Sequence, residues 1–268
     1  MSTPPLTGPL CTRATISAEL RALGVEPGET LLVHSSLSSL GWVCGGRVAV
    51  VQALIDALGP GGTLVVPTHT GDNSDPSEWG NPPVPEEWWS AIRAATPAYD
   101  PLTTPSGGIG VIPETVRTWP GALRSAHPQT SFAAVGPAAA ALTAGHAEDC
   151  RLGERSPLAR LEETGARVLL LGVGFDRCTA FHLAEYRIPS PEVDEGRAVM
   201  TAGGRRWQTV RETSISSDRF DELGADFARD EPVVRGTVGA AEVRLFPLAA
   251  AVAYAEGWLA LHRPRDLV

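Results

Sequence analysis

Apolar residues recur along this chain with two periods, and the two alternate from one end to the other. Ile16, Leu20 and Leu23 share one helical face. Thr15 precedes them as a cap and Gly24 follows as a stop, which predicts a helix over 16–23. The run Glu29–His34 is short, apolar at its centre and bounded by turn residues, so it reads as a buried strand. Val48, Val51, Leu54, Ile55 and Leu58 return at helical spacing, and Gly59-Pro60-Gly61-Gly62 ends that helix. Thr63–Pro67 is the next buried strand. Two strands joined through a helix in this way are expected to run parallel in one sheet.

The alternation resumes later with a helix over 109–119, a strand over 131–135 and a helix over 137–145. Arg167–Gly174 is the most strand-like segment, apolar throughout its centre as a central strand should be. Thr179–Arg187 reads as a helix, 197–201 and 206–213 as a hairpin around Gly203-Gly204, and Phe220–Asp230 and Pro247–Leu261 as closing helices. Residues 68–108 interrupt the pattern with Pro76, Pro82, Pro83, Pro85, Pro97, Pro101 and Pro105 among Trp79, Trp88 and Trp89, and only 86–95 fits a helix. So long an excursion inside a compact chain suits a lid or a substrate wall. The expected fold class is therefore α/β: one domain over 1–268, with a central mostly parallel or mixed sheet flanked by helices and an inserted proline-rich loop region. Residues 1–14 are expected to be flexible.

Composition narrows the function. Of 268 residues, 43% are apolar and 20% charged, an ordinary soluble mixture. The apolar runs at 138–142 and 245–255 are too short or too mixed to span a bilayer, and the first residues lack a basic segment followed by an apolar one. A cytoplasmic location is expected. The net charge of −9 disfavours nucleic-acid and membrane surfaces as partners and is compatible with a cationic small molecule. All 22 basic residues are arginine; without lysine, a phosphate-loop lysine and Schiff-base chemistry are excluded. Cys11, Cys44, Cys150 and Cys178 form no CxxC pair and read as free buried thiols.

Candidate chemistry gathers at strand ends. His34 and His182 each follow the C-terminal end of a buried strand, the edge at which open α/β sheets bind ligands. Asp176 and Glu185 flank His182, and Glu185, three residues on, shares nearly the same helix face. A neutral imidazole held by a carboxylate is a competent base near neutral pH. Ser35–Ser39 with Gly41, Gly45 and Gly46 ahead of a helix suits a phosphate, and equally a plain turn. Cys178, four residues before His182, leaves a Cys–His hydrolase open. The excursion carries Asp72, Asp75, Glu78, Glu86 and Glu87, which make either a solvated loop or a wall for a cation.

Three segments taken in order, Leu31-Leu32-Val33-His34-Ser35-Ser36-Leu37, Arg124-Ser125-Ala126-His127-Pro128 and Thr179-Ala180-Phe181-His182-Leu183-Ala184-Glu185, resemble the aminoglycoside 3-N-acetyltransferase family. The segments Asn81–Pro85, Trp88-Trp89 and Pro97–Pro101 are similar to one branch of it, and the likeness spans roughly 15–258. The resemblance implies an α/β fold unlike the common GNAT acetyltransferases, and transfer of acetyl from acetyl-CoA to an amine of an aminoglycoside, typically the 3-amino group of 2-deoxystreptamine, with no metal. It implies His182 as base, supported by Glu212 with Asp176 and Glu185 nearby. His34, Ser35, Ser36 and Leu37 would lie at the thioester and pantetheine, and Thr104, Ser106 and Gly110 in the coenzyme wall. Asp72, Asp75, Glu78 and His127 would face the polycationic substrate. The family often has Asn where Cys178 stands. An N-acyltransferase of another amine and a non-catalytic CoA-binding protein remain alternatives, and nothing in the chain opposes a homodimer.

Overall fold

The computed structural model describes residues 8–263. In chain order the elements are α1 (Arg13–Ala22), β1 (Thr30–Ser35), α2 (Gly46–Leu58), β2 (Thr63–Pro67), α3 (Trp89–Ala95), α4 (Val111–Arg117), β3 (Leu123–Arg124), β4 (Phe132–Val135) and α5 (Ala139–Thr143). They continue with α6 (Pro157–Glu163), β5 (Arg167–Leu171), α7 (Phe181–Glu185), β6 (Glu192–Thr201), β7 (Gly204–Thr213), α8 (Phe220–Asp230), β8 (Val234–Val238), β9 (Ala241–Pro247) and α9 (Leu248–His262). Seven strands make one mixed sheet in the order β3-β4-β2-β1-β5-β9-β8. β2, β1 and β5 run parallel at its centre, and antiparallel strands flank them on both sides. β6 and β7 form a separate two-stranded ribbon.

The central strands are apolar throughout because both faces of the sheet are covered. Leu31 and Val33 of β1, Leu64 and Val66 of β2, and Leu169 and Leu171 of β5 pack into one apolar cluster with α1, α2 and α4. Their neighbours Leu32, Val65, Val168 and Leu170 point the other way, into a second cluster with α5 to α9. That second cluster holds a knot of rings, Phe175, Phe181, Phe220, Phe227 and Phe246.

Several expectations shift. α1 begins at Arg13 because Thr12, not Thr15, is its cap; the two threonines bond reciprocally in a capping box. Residues 8–14, expected to be flexible, include Cys11, which is buried, bridges Val43 and accepts a hydrogen bond from the Cys44 amide at 2.8 Å; residues 1–7 lie outside the described residues. The helix expected over 179–187 shortens to α7, and Cys178 closes the preceding 3-10 turn Phe175–Arg177. α6 and the pair β8–β9 were unforeseen. β8 is a mostly exposed edge strand, and the apolar run that begins at Leu245 blends β9 into α9.

The excursion folds as 3-10 turns at Pro76–Glu78 and Glu86–Trp88 plus the short α3. It is stitched to the ribbon by polar bonds. Asn73 exchanges two hydrogen bonds with the Ala198 backbone (3.0 and 2.8 Å), the Tyr99 amide donates to Ala198 at 3.3 Å, and Arg205 donates to the Thr96 carbonyl at 3.0 Å. Among the described residues no helix is long and apolar enough to cross a membrane.

Candidate active site

The carboxyl ends of the three parallel strands open on a cavity of about 770 Å³. β1 delivers His34 and Ser35, β2 ends at Pro67 and leads to His69, and β5 leads through Gly172 to Val173, Asp176 and His182. This is the edge at which ligands enter sheets of this kind. The chain turns sharply after β5 at Gly172, whose φ is 69°. A Cβ there would stand 2.5 Å from that of Ser39, so the turn and the Ser-rich loop can approach only through glycine.

His182 sits in the first turn of α7, with its ring 4.8 Å from that of Phe220 and its side chain 15% exposed. Its Nδ1 lies 2.5 Å from Oε2 of Glu185, a carboxylate with no exposed surface. The carboxylate therefore accepts a hydrogen bond from Nδ1–H, and Nε2 keeps its lone pair for the cavity. His34 and His69 line the same cavity. Burial pushes both down to about 3, so both stay neutral at physiological pH. Nε2 of each is buried without a partner.

Ser35, Ser36, Leu37, Gly110 and Asp176 also line this cavity. Asp176 is paired with Arg177 at 2.9 Å, so Glu185 alone of the two flanking carboxylates holds His182. An adjoining lobe of about 700 Å³ shares Gly108, Gly110 and Val111 with it and adds Ser106, Glu114 and the exposed Arg47. Ser106 donates through both its hydroxyl and its amide to Glu114, at 2.7 and 3.0 Å. Thr104 lines none of these spaces. Its hydroxyl accepts from the Asp100 amide at 2.9 Å and its carbonyl from Arg124, so it shapes the excursion instead.

Two expected site residues belong elsewhere. Glu212 does not support His182, because it is buried in a network beneath the ribbon. Its Oε1 accepts from Arg197 Nη1 at 3.0 Å and faces His127 Nε2 at 3.6 Å, while its Oε2 accepts from the Arg151 amide at 2.9 Å and the Tyr186 hydroxyl at 3.2 Å. Burial raises this carboxyl, but the facing His127 and the Arg151 amide and charge outweigh it and hold it at about 2. His127 has no exposed surface and lines none of the three cavities. Its Nδ1 accepts the Gln129 and Thr130 amides, both at 3.1 Å, and burial pushes it below the usual imidazole range.

The acidic residues of the excursion also divide. Asp72 is exposed and lines none of the three cavities. Asp75 and Glu78 face Glu192, Asp194 and Glu195 of the ribbon across a cleft of about 540 Å³. Arginines pair with most of these: Arg93 with Asp75 at 2.6 Å, Arg151 with Glu195 at 2.6 Å, and Arg211 with Glu192 and Asp194 at 3.3 and 3.4 Å. Cys178 is wholly buried and burial pushes its thiol up to about 12, so it supplies no thiolate to His182. His69, which was not among the expected site residues, lines the cavity, and the strand-end rule that marks His34 and His182 applies to it as well.

An imidazole–carboxylate pair lines a cavity at the carboxyl edge of the parallel strands, the edge at which α/β enzymes bind small molecules. A family model, aminoglycoside 3-N-acetyltransferase, matches residues 32–260, and the chain belongs to that family; it is an acyltransferase acting on an amine. It is 47% identical over 249 residues to the SPbeta prophage-derived aminoglycoside N(3')-acetyltransferase-like protein YokD of Bacillus subtilis (strain 168), covering 92% of each chain. The crystal structure of YokD superposes with a TM-score of 0.94 over 96% of both chains. Two liganded structures are similar at 32% identity: AAC-IIIb in binary complex with CoASH (TM-score 0.81, 94% of this chain and 97% of that one) and AAC-VIa bound to sisomicin (0.83, 94% and 98%).

Proposed function

We propose that this protein acetylates an amino group of an aminoglycoside, the 3-amino group of a 2-deoxystreptamine ring, by direct transfer from acetyl-CoA with His182 as general base. The observation that carries the reading is the His182–Glu185 pair, with Nδ1 engaged and Nε2 left for the cavity. In one step the amine nitrogen attacks the thioester carbonyl, its proton passes to Nε2, the carbon–sulfur bond breaks, and the proton is returned to the departing thiolate. The donor's thioester would lie beside Ser35 and Ser36, with its nucleotide end in the lobe lined by Arg47. The Ser36 amide is committed to the Leu171 carbonyl at 3.0 Å, so the developing oxyanion would be met by the Ser36 and Ser38 hydroxyls, which bond each other at 3.1 Å. The relative holding CoASH supports the donor, and the relative holding sisomicin supports the acceptor class. Asp75, Glu78 and the ribbon carboxylates would receive the acceptor's remaining ammonium groups.

Mass spectrometry of kanamycin, gentamicin and apramycin after incubation with the protein and acetyl-CoA tests the assignment. A gain of one acetyl unit, located by fragmentation on the 3-amino nitrogen, is expected, and no gain on any of the three refutes it. His182→Ala should lower kcat by about 10²–10⁴, the usual contribution of a general base; a near-native kcat in that variant removes His182 from the role. One observation favours a different amine: arginines pair with four of the five carboxylates in the acceptor cleft, which lowers its attraction for a polycation. CoA release assayed with simple amines beside aminoglycosides separates the two acceptors.

A further inference from the structure

Glu185 is buried, and each of its two oxygens has its own task. Oε2 meets His182 Nδ1. Oε1 accepts the Ser216 amide at 2.9 Å and a guanidinium N–H of Arg263. The same Arg263 nitrogen donates to the Ser216 carbonyl at 2.6 Å. Arg263 is the residue just past α9; its amide bonds the Leu259 carbonyl at 3.0 Å and its side chain is 24% exposed. The strap 214–217, which follows β7, and the end of α9 thus converge on one carboxylate. Ser217 of that strap lines the main cavity.

We propose that Arg263 is a positioning residue for the transfer reaction: by holding Glu185 from behind, it keeps His182 uncharged and able to accept the amine's proton. The inference rests on His182 being the base. An ionised carboxylate 2.5 Å from an imidazole favours the imidazolium, and a base that already carries its proton cannot accept another. A cation on the opposite oxygen offsets that pull while leaving Glu185 ionised and oriented. Arginine is suited to this because it stays charged at every assay pH and can bridge a carboxylate and a carbonyl.

The other groups facing the pair do not supply this balance. His34 from β1 and His69 beyond β2 are neutral, Asp176 and Arg177 ahead of α7 pair with each other, and α8 presents the ring of Phe220. Among the described residues Arg263 is the cation in contact with Glu185.

The test is an NMR titration of ¹⁵N-histidine in the whole protein, with the His182 signal assigned by its loss in His182→Gln. In Arg263→Gln its midpoint should rise by about one pH unit or more, and the acid limb of kcat/KM should rise with it while KM for either substrate changes little. Arg263→Lys should restore most of the native midpoint. In a Glu185→Gln background, the Arg263→Gln replacement should shift it far less. An unchanged midpoint in Arg263→Gln at native Tm, or an equal shift in both backgrounds, overturns the proposal. Loss of folding in both Arg263→Gln and Arg263→Met would assign the residue to the scaffold and overturn it likewise. His182→Ala with undiminished kcat defeats the base assignment separately, since the midpoint still reports whether Arg263 acts on His182.

Discussion

Replacing Glu212 by glutamine distinguishes an anchor for the ribbon from a support for the base. Glu212 is the carboxylate between Arg197, which has no exposed surface, and Arg151; neutralising it leaves Arg197 buried without its counter-charge. Removing one partner of such a pair costs about 3–5 kcal/mol. The native carboxyl gives a second route to the same scale. It titrates near 2 against an ordinary 4.5, a gap equivalent to about 3 kcal/mol. For a chain of this size that is a fall in Tm of roughly 6–20 °C. Because the folded value is depressed, this stability is complete above about pH 4.5 and drains away as pH falls toward 2. Differential scanning calorimetry of both proteins between pH 7 and pH 3 reads the loss. The native protein should lose its advantage over Glu212→Gln on acidification, while the acid limb of the variant's pH–rate profile at 25 °C stays where it was. A variant with native Tm and a displaced acid limb would return Glu212 to His182 and refute the argument.

Other measurements address separate parts of the molecule. Cys44 is the exposed thiol and Cys11, Cys150 and Cys178 are buried, so a chromogenic disulfide reagent should titrate one thiol quickly and the other three only on unfolding. Cys178→Ser should retain kcat, and its loss of activity at native Tm would revive the thiolate reading. Gly224 lies within α8, where alanine ordinarily stabilises by about 1 kcal/mol. Here the added Cβ would stand 2.0 Å from Phe175 Cγ, so Gly224→Ala should instead destabilise by about 1–3 kcal/mol in urea unfolding. If the acidic cleft receives the acceptor, Arg93→Gln should free Asp75 there and lower KM for a polycationic acceptor without changing KM for acetyl-CoA, as initial-rate kinetics at low salt would show.

Much of the architecture is legible in the order of the amino acids because the central strands are covered on both faces. Thr63–Pro67 and Phe220–Asp230 fall at the predicted bounds, since Gly-Pro-Gly-Gly and an amphipathic stripe mark them unambiguously. β8 escaped notice because an edge strand has no apolar face to display, and α7 was overextended because local propensity does not see the 3-10 turn ahead of it. The His182–Glu185 pair was readable from its i, i+3 spacing. The role of Glu212 was not: its partners Arg151 and Arg197 come from segments 61 and 15 residues away, and nothing local announces them. Arg263, 78 residues beyond Glu185 by their numbering, is likewise visible only once α9 has folded back.

The ribbon β6–β7 belongs to neither apolar cluster, although Ala198 and Val199 within it are buried. It is sutured to the body by amides, carbonyls and the ion pairs of Arg151 with Glu195 and Glu212 at a few points. Its outer face and the acids it lends to the cleft facing Asp75 and Glu78 can therefore be exchanged without repacking the interior. Substitutions there would leave the phenylalanine knot that seats α7 undisturbed.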